Sequence, residues 1–176
     1  MLEIGAVQRA IYARRSTRSY KPDPLPKETI DRILKAGTYA ATGMNQQSPI
    51  ILAVTNKEMR DKLSAMNAKI LRKDDDPFYG APAVLVVLAD KDMPTYLYDG
   101  SLVMGNMMLA AEELGVASCW VHRAKEEFES QEGKEILKSL GIEGNYEGIG
   151  HLILGYAEGE KAEAAPRKEQ YVYYVE

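Results

Sequence analysis

The chain is poor in the residues that build crosslinks and metal centres. Its 176 residues include one cysteine, Cys119, and two histidines, His122 and His151. A lone cysteine excludes an intrachain disulfide and a cysteine-rich zinc site. The histidines stand far apart with no clustered acids beside them, so no metal site is expected. Apolar runs are short, none approaching the ~18 residues of a membrane span. The first ten residues scatter Glu3, Gln8 and Arg9 where a secretory signal would be basic and then apolar. Positive charge is also scarce: 22 Lys+Arg against 26 Asp+Glu leave a formal net charge of −4. That balance argues against a dedicated nucleic-acid binder. No repeat, low-complexity tract or linker divides the chain. The expectation is one cytoplasmic domain over residues 1–176, long enough to bury roughly 70% of its unfolded surface without a staple.

Apolar periodicity supplies the elements. Helices are predicted over 7–15, 27–40, 57–71, 101–114 and 125–140. Strands are predicted over 50–55, 83–89, 118–121 and 148–156. The order gives an α+β fold around a mixed sheet. Two features are unusual. Residues 101–114 are apolar almost all round, which predicts burial on every side and hence a subunit interface. The terminal Tyr171-Val-Tyr-Tyr-Val175 reads as a strand that would be an aggregation hazard as a free edge, so its own sheet or a partner chain must cover it.

The densest polar signal is Arg14-Arg-Ser-Thr-Arg-Ser-Tyr20, directly after the first helix. Arginine presents a planar fork that matches phosphate oxygens, and serine adds a short hydroxyl donor. The same cluster would equally suit a solvated helix end, where arginine complements the dipole. Arg167-Lys168 forms a second basic pair, and spacing alone does not show that the two meet. The glycines of Gly148-Ile-Gly-His-Leu-Ile-Leu-Gly155 lie in a β pattern, not between a strand and a helix, so they are no dinucleotide fingerprint.

Four features, in order, resemble the nitroreductase family of flavin mononucleotide (FMN) enzymes. They are Arg14-Arg-Ser-Thr-Arg18 after the first helix, and Thr42-Gly-Met-Asn-Gln-Gln-Ser-Pro49 leading into a strand. Asp99-Gly-Ser101 opens a small-residue helix that leads to Cys119-Trp-Val-His122. The strand 148–155 is followed by Pro166-Arg-Lys168. The resemblance implies a homodimer with FMN in two interfacial clefts, the long helix packed on its mate, and C-terminal strand exchange. Arg14 and Ser16 would hold the phosphate with Arg167 and Lys168, and Arg15 would help through its backbone or fork. Arg18 would lie at the pyrimidine edge, where a fixed cation stabilises the negative charge of reduced flavin. Thr42, Gly43 and Asn45 would border the ring from the opposite subunit. Val121 and His122 would present backbone groups near N5.

The implied activity is hydride transfer from NAD(P)H through FMN to small acceptors such as nitroaromatics, quinones or enones. The flavin carries the chemistry, so no protein nucleophile is needed. Alternatives on the same fold are reductive dehalogenation, flavin fragmentation, or a non-catalytic flavin carrier or sensor. Departures from the family pattern are Ala41 in place of proline and a short 90–99 connection that leaves no length for a helical lid. Phe78 or Tyr79 is a candidate cover for the ring, or else these aromatics fill the core before the second strand; Lys69 or Arg72 is a candidate further cation.

Overall fold

The structure, a computed structural model, describes residues 4–176. Its centre is β2 (Ala83–Asp90), where Val84 to Ala89 are all fully buried. A strand reads as a continuous apolar run when both its faces are covered, and both are covered here. Val84, Val86 and Leu88 join a core with α3 (Lys57–Leu71), α5 (Ala124–Glu129) and α6 (Gln131–Ser139). Leu85 and Val87 join a second core with α2 (Lys27–Thr38) and α4 (Tyr96–Glu113). Each fully buried side chain of this kind contributes roughly 1.5–3 kcal/mol. β1 (Ile50–Val54), β3 (Ala117–Val121) and β4 (Tyr146–Gly155) complete the sheet in the order β1-β2-β4-β3, and α1 (Ala6–Ala13) lies against α4.

Every ladder of the sheet is antiparallel. The expected mixed sheet is therefore corrected within the single chain. Its only parallel element among the described residues is the isolated bridge between Ser16 and Ser118. The terminal segment also departs from expectation. Tyr171–Val175 forms no strand, and its residues are 64–98% exposed.

Two helix boundaries differ for local reasons. The helix expected over 125–140 is two helices, broken at Ser130, whose backbone is extended at ψ 159°. The Ser130 hydroxyl accepts from Gly133 N–H and donates to the Glu127 carbonyl, so one side chain ends α5 and caps α6. Serine competes with helix continuation in this way. α4 begins at Tyr96, five residues before the predicted start, and runs through Gly100. Glycine there lets the helix lie close to the sheet, since a Cβ would stand 2.5 Å from Ile149 Cγ1. α4 is not buried all round in one chain: Val103, Met104, Met107 and Ala111 face the core, while Tyr98 and Leu102 are exposed.

Gly150 is a second close approach. A Cβ there would stand 2.1 Å from Trp120 Nε1. Gly150→Ala should force the indole aside at a cost of ~1–3 kcal/mol, lowering Tm by roughly 2–12 °C in a chain of this size. Calorimetry measures the loss, and Trp120, the only tryptophan, reports its displacement by fluorescence. Unchanged values in both would show that the indole is not packed on this backbone.

Candidate functional site

The basic segment is an extended strap laid on the open edge of β3. Thr17 N–H donates to the Ser118 carbonyl, and beyond it Glu158 N–H and Lys21 N–H pair with Ser19 and Tyr156 carbonyls. Tyr20 pins the strap from beneath, its ring buried and its hydroxyl donating to the Thr17 carbonyl at 2.8 Å. Burial, the largest cause, pushes this phenol far above its ordinary range, so it remains a donor.

The three arginines divide. Arg15 folds back onto the carbonyls of Tyr12 and Arg14 at 2.7 and 2.6 Å, and so closes the end of α1. Its buried Nε has no partner. The Arg14 and Arg18 side chains have no hydrogen-bond or ion-pair partner among the described residues, and neither does the Ser16 hydroxyl. A cavity of about 380 Å³ opens beside the strap, lined among others by Arg15, Ser16, Arg18, Glu112, Glu158 and Lys161. Lys161 pairs with Glu112, and Ser19 Oγ donates to Glu158; Glu160 also lines the cavity, and neither Arg14 nor Arg18 forms an ion pair with any of these acids among the described residues.

At the far end of β3, Val121 is buried toward α3 and α5 while His122 is exposed. Asn67 Nδ2 of α3 donates to the His122 carbonyl at 2.8 Å, and Arg123 follows in the left-handed region at φ 78°. Ser118 and Val121 are roughly 10 Å apart at ~3.3 Å per residue. The strap and the Val121–His122 backbone thus flank one stretch of sheet edge.

Thr42, Gly43 and Asn45 lie elsewhere. Gly43 N–H donates to Asp99 Oδ1 at 3.0 Å, and Thr95 Oγ1 donates to Asp99 Oδ2 at 2.9 Å. A Cβ on Gly43 would stand 2.2 Å from Thr95 Oγ1, so only glycine fits. Met44, Asn45 and Gln47 then hold φ values of 50–57°. This loop caps the first turn of α4, whereas the strap lies beside its last. Asp99 and Glu112 are separated by roughly 20 Å of helix at ~1.5 Å per residue. One chain does not bring the two groups together.

Nor does it bring Arg167 and Lys168 to Arg14. The Arg167 guanidinium sits on the Ala165 carbonyl, and Lys168 lies over the Tyr171 ring at 5.1 Å. Phe78 is corrected: it is fully buried against His151, with ring centroids 5.1 Å apart, and covers no cleft. Tyr79 is exposed. Lys69 is exposed, and Arg72 caps α3 at φ 56°. His151, expected without nearby acids, has Glu127 Oε2 at 3.1 Å from its Nε2. Asn67, Glu127 and Arg123 carried no local pattern, and Asp99, although it opens the Asp99-Gly-Ser101 motif, was not predicted as a site residue; only the fold brings them to the site.

The domain thus presents a free cationic strap and a backbone corner on one edge of a helix-covered sheet. Comparison identifies its relatives. The nitroreductase family model matches residues 11–156. The chain belongs to this family. It is 32% identical over 156 residues to an Archaeoglobus fulgidus protein provisionally named an NADH dehydrogenase/NAD(P)H nitroreductase, spanning 86% of this chain and 85% of that one. A Bacteroides fragilis nitroreductase with bound FMN superposes with TM-score 0.89 at 28% identity, over 98% of this chain and 100% of that one. A Desulfitobacterium hafniense nitroreductase with bound FMN gives TM-score 0.88 at 27% identity, over 99% and 100%.

The loop that places Phe78 in the core is organised by Asp76. Its carboxylate accepts from Arg60, Ser64 and the N–H groups of Phe78 and Gly80. Burial alone would raise its pKa, but these four bonds together outweigh it and hold the carboxyl below the usual range. A pKa lowered by folding adds stability that is present above the unfolded value and lost as pH falls through the folded one. Asp76→Asn should lower Tm at pH 7, and the gap to the wild type should close below about pH 4. A gap independent of pH, read by thermal melts across the acid range, would contradict the assignment.

Proposed function

We propose that this chain is an FMN-dependent oxidoreductase that passes hydride from NAD(P)H to small acceptors such as nitroaromatics, quinones or enones. The observation that carries the reading is the strap: Arg14 and Arg18, in no ion pair among the described residues, fixed on a sheet edge, beside the backbone corner at His122. The donor set fits the cofactor. Arg14 and Ser16 supply charge-assisted and neutral donors for a phosphate dianion, and the unpartnered Arg15 Nε adds buried positive character. Arg18 supplies a cation one strap residue beyond Thr17.

Bound FMN would supply the hydride-transfer chemistry between nicotinamide and acceptor. The chain's own residues bind and tune. Arg14 and Ser16 hold the phosphate end. Arg18 favours the form in which the pyrimidine edge is negatively charged. Val121 and His122 offer main-chain groups, so the His122 side chain is free to vary. Thr42, Gly43 and Asn45, held by Asp99 on the first turn of α4, come from a second copy of the chain.

A homodimer accounts for the remaining exposed surface. Val7, Ile11, Tyr12, Met44, Tyr98 and Leu102 are all exposed, an extent of apolar surface that marks an interaction face. β1 pairs only with β2, so its other edge is open. The second copy's Tyr171–Val175 would pair there, which would complete the mixed sheet and carry Arg167 and Lys168 toward a phosphate. The connection between β2 and α4, residues 91–95, is a tight turn, with Met93 N–H on the Asp90 carbonyl and Tyr96 N–H on the Met93 carbonyl. It forms no lid, so flat acceptors of varied bulk should stack on an open flavin face. No described helix is long and apolar enough to cross a membrane, in keeping with a cytoplasmic enzyme.

Arg14→Ala should weaken FMN binding by about 1.5–3 kcal/mol, the size of a charge-assisted bond, or roughly 10- to 150-fold in Kd. Lys57→Ala, which removes only a surface pair with Asp61, should leave it unchanged. Equal retention, measured by flavin absorbance after dialysis, would remove the phosphate assignment. A yellow protein that does not oxidise NADH or NADPH would be the carrier instead.

A further inference from the structure

Behind the backbone corner runs a buried polar chain. Asn67, Glu127 and His151 are each fully buried. His151 Nε2 lies 3.1 Å from Glu127 Oε2, and its Nδ1 is buried without a partner. One hydrogen bond therefore joins His151 Nε2 to Glu127 Oε2, its direction following the ring tautomer. Glu127 Oε1 accepts from Asn67 Nδ2 at 2.5 Å, and the same amide nitrogen donates to the His122 carbonyl at 2.8 Å. Asn67 Oδ1 accepts from Arg123 Nε, also at 2.8 Å. Glu127 is thus satisfied at both oxygens, and Asn67 uses both amide hydrogens and its oxygen. The amide therefore has only one orientation that works.

Burying a carboxylate among neutral partners is costly, and apolar side chains would hold α3 against α5 as well or better. The chain of bonds ends on a single main-chain carbonyl. That carbonyl belongs to a trans peptide, in which the C=O and the following N–H point to opposite sides. Holding the His122 carbonyl toward α3 turns the Arg123 N–H away from α3. Among the described residues that N–H has no acceptor, and the left-handed φ of 78° keeps it from joining a helix or strand ladder.

We infer that Asn67, held by Glu127 and His151, is a positioning residue that aims the Arg123 backbone N–H into the flavin cleft. The inference rests on the reading above that the Val121–His122 backbone borders the ring. A donor fixed beforehand needs no reorganisation when negative charge develops on the ring. Arg123 contributes through its amide, while its side chain returns to lock Asn67.

The experiment uses the intact protein with FMN, labelled with ¹⁵N-arginine. The Arg123 amide signal is identified by its loss in Arg123→Lys. On FMN addition it should move well beyond the signal of Arg60, which is buried against Asp76. Glu127→Leu removes the oxygen that accepts from Asn67 Nδ2 and so frees the amide to turn. FMN should still bind within about 3-fold of the wild-type Kd, while the flavin absorption spectrum and midpoint potential shift. Reduction at saturating NADH should slow roughly 10-fold, the size of one well-placed hydrogen bond. If that variant does not fold, Asn67→Ser, which cannot span the same gaps, should give the same signature. A yellow wild type whose Arg123 amide does not move overturns the inference alone. So does a folded variant with wild-type spectrum, potential and rate. A wild type that takes up no FMN overturns the cofactor reading, and the inference with it.

Discussion

The length of α4 is the constraint on which the rest of the structure depends. Its buried face, Val103, Met104, Met107 and Ala111, fixes it against the sheet. One end is tied through Asp99 to the Gly43 loop, and the other turns at Gly115 into β3 and the basic strap. The helix is rigid, so the two groups are held apart by its own span. Neither group is a complete site. The strap has cations and a backbone corner but no far wall. The Gly43 loop has a strained, exposed apolar tip and nothing to border within its own chain. Two helices packed side by side in opposite directions would bring the first turn of one to the last turn of the other.

The span of α4 also accounts for where the chain leaves surface unsatisfied. A domain that completed itself would cover the β1 edge and bury Tyr171–Val175. This one leaves both open, and leaves Leu102 and Tyr98 exposed on the helix that divides its site. These exposed features form one pattern rather than separate faults, since the second copy of the proposed dimer would supply a neighbour for each.

Much of the fold was legible because periodicity reports burial. The 57–71 helix matched to the residue, and Ala83 to Ala89 read as buried because both faces are. What failed was local or relational. Ser130 broke a helix whose apolar spacing ran on across it, because one hydroxyl can serve two helix ends. Gly100 and the aromatic residues before it hid the true start of α4. The mixed sheet and terminal strand failed because every ladder within the chain is antiparallel and residues 171–175 pair with none of its strands. In the site, Arg14, Ser16 and Arg18 were visible because arginine and serine clustered in sequence. The Asn67–Glu127–His151 chain was not. Its members are widely separated in sequence, and only β4 and α3 closing on α5 bring them into contact. Phe78 was misplaced because composition cannot tell an aromatic residue over a cleft from one beneath a loop. Asp76 decides that.

The central claim is that each site is assembled from two chains, and complementation between defective copies tests it most directly. Arg14→Ala damages the strap, and Gly43→Val, whose side chain would collide with Thr95, displaces the loop. Each variant alone should fail to retain FMN. Co-expressed with separate affinity tags, the two should form mixed dimers in which one cleft has both defects and the other has neither. Dimers carrying both tags should retain FMN at about one site in two, as two-fold symmetry requires. Mixed dimers as colourless as either parent would contradict the account, because the strap and the loop would then serve the same chain.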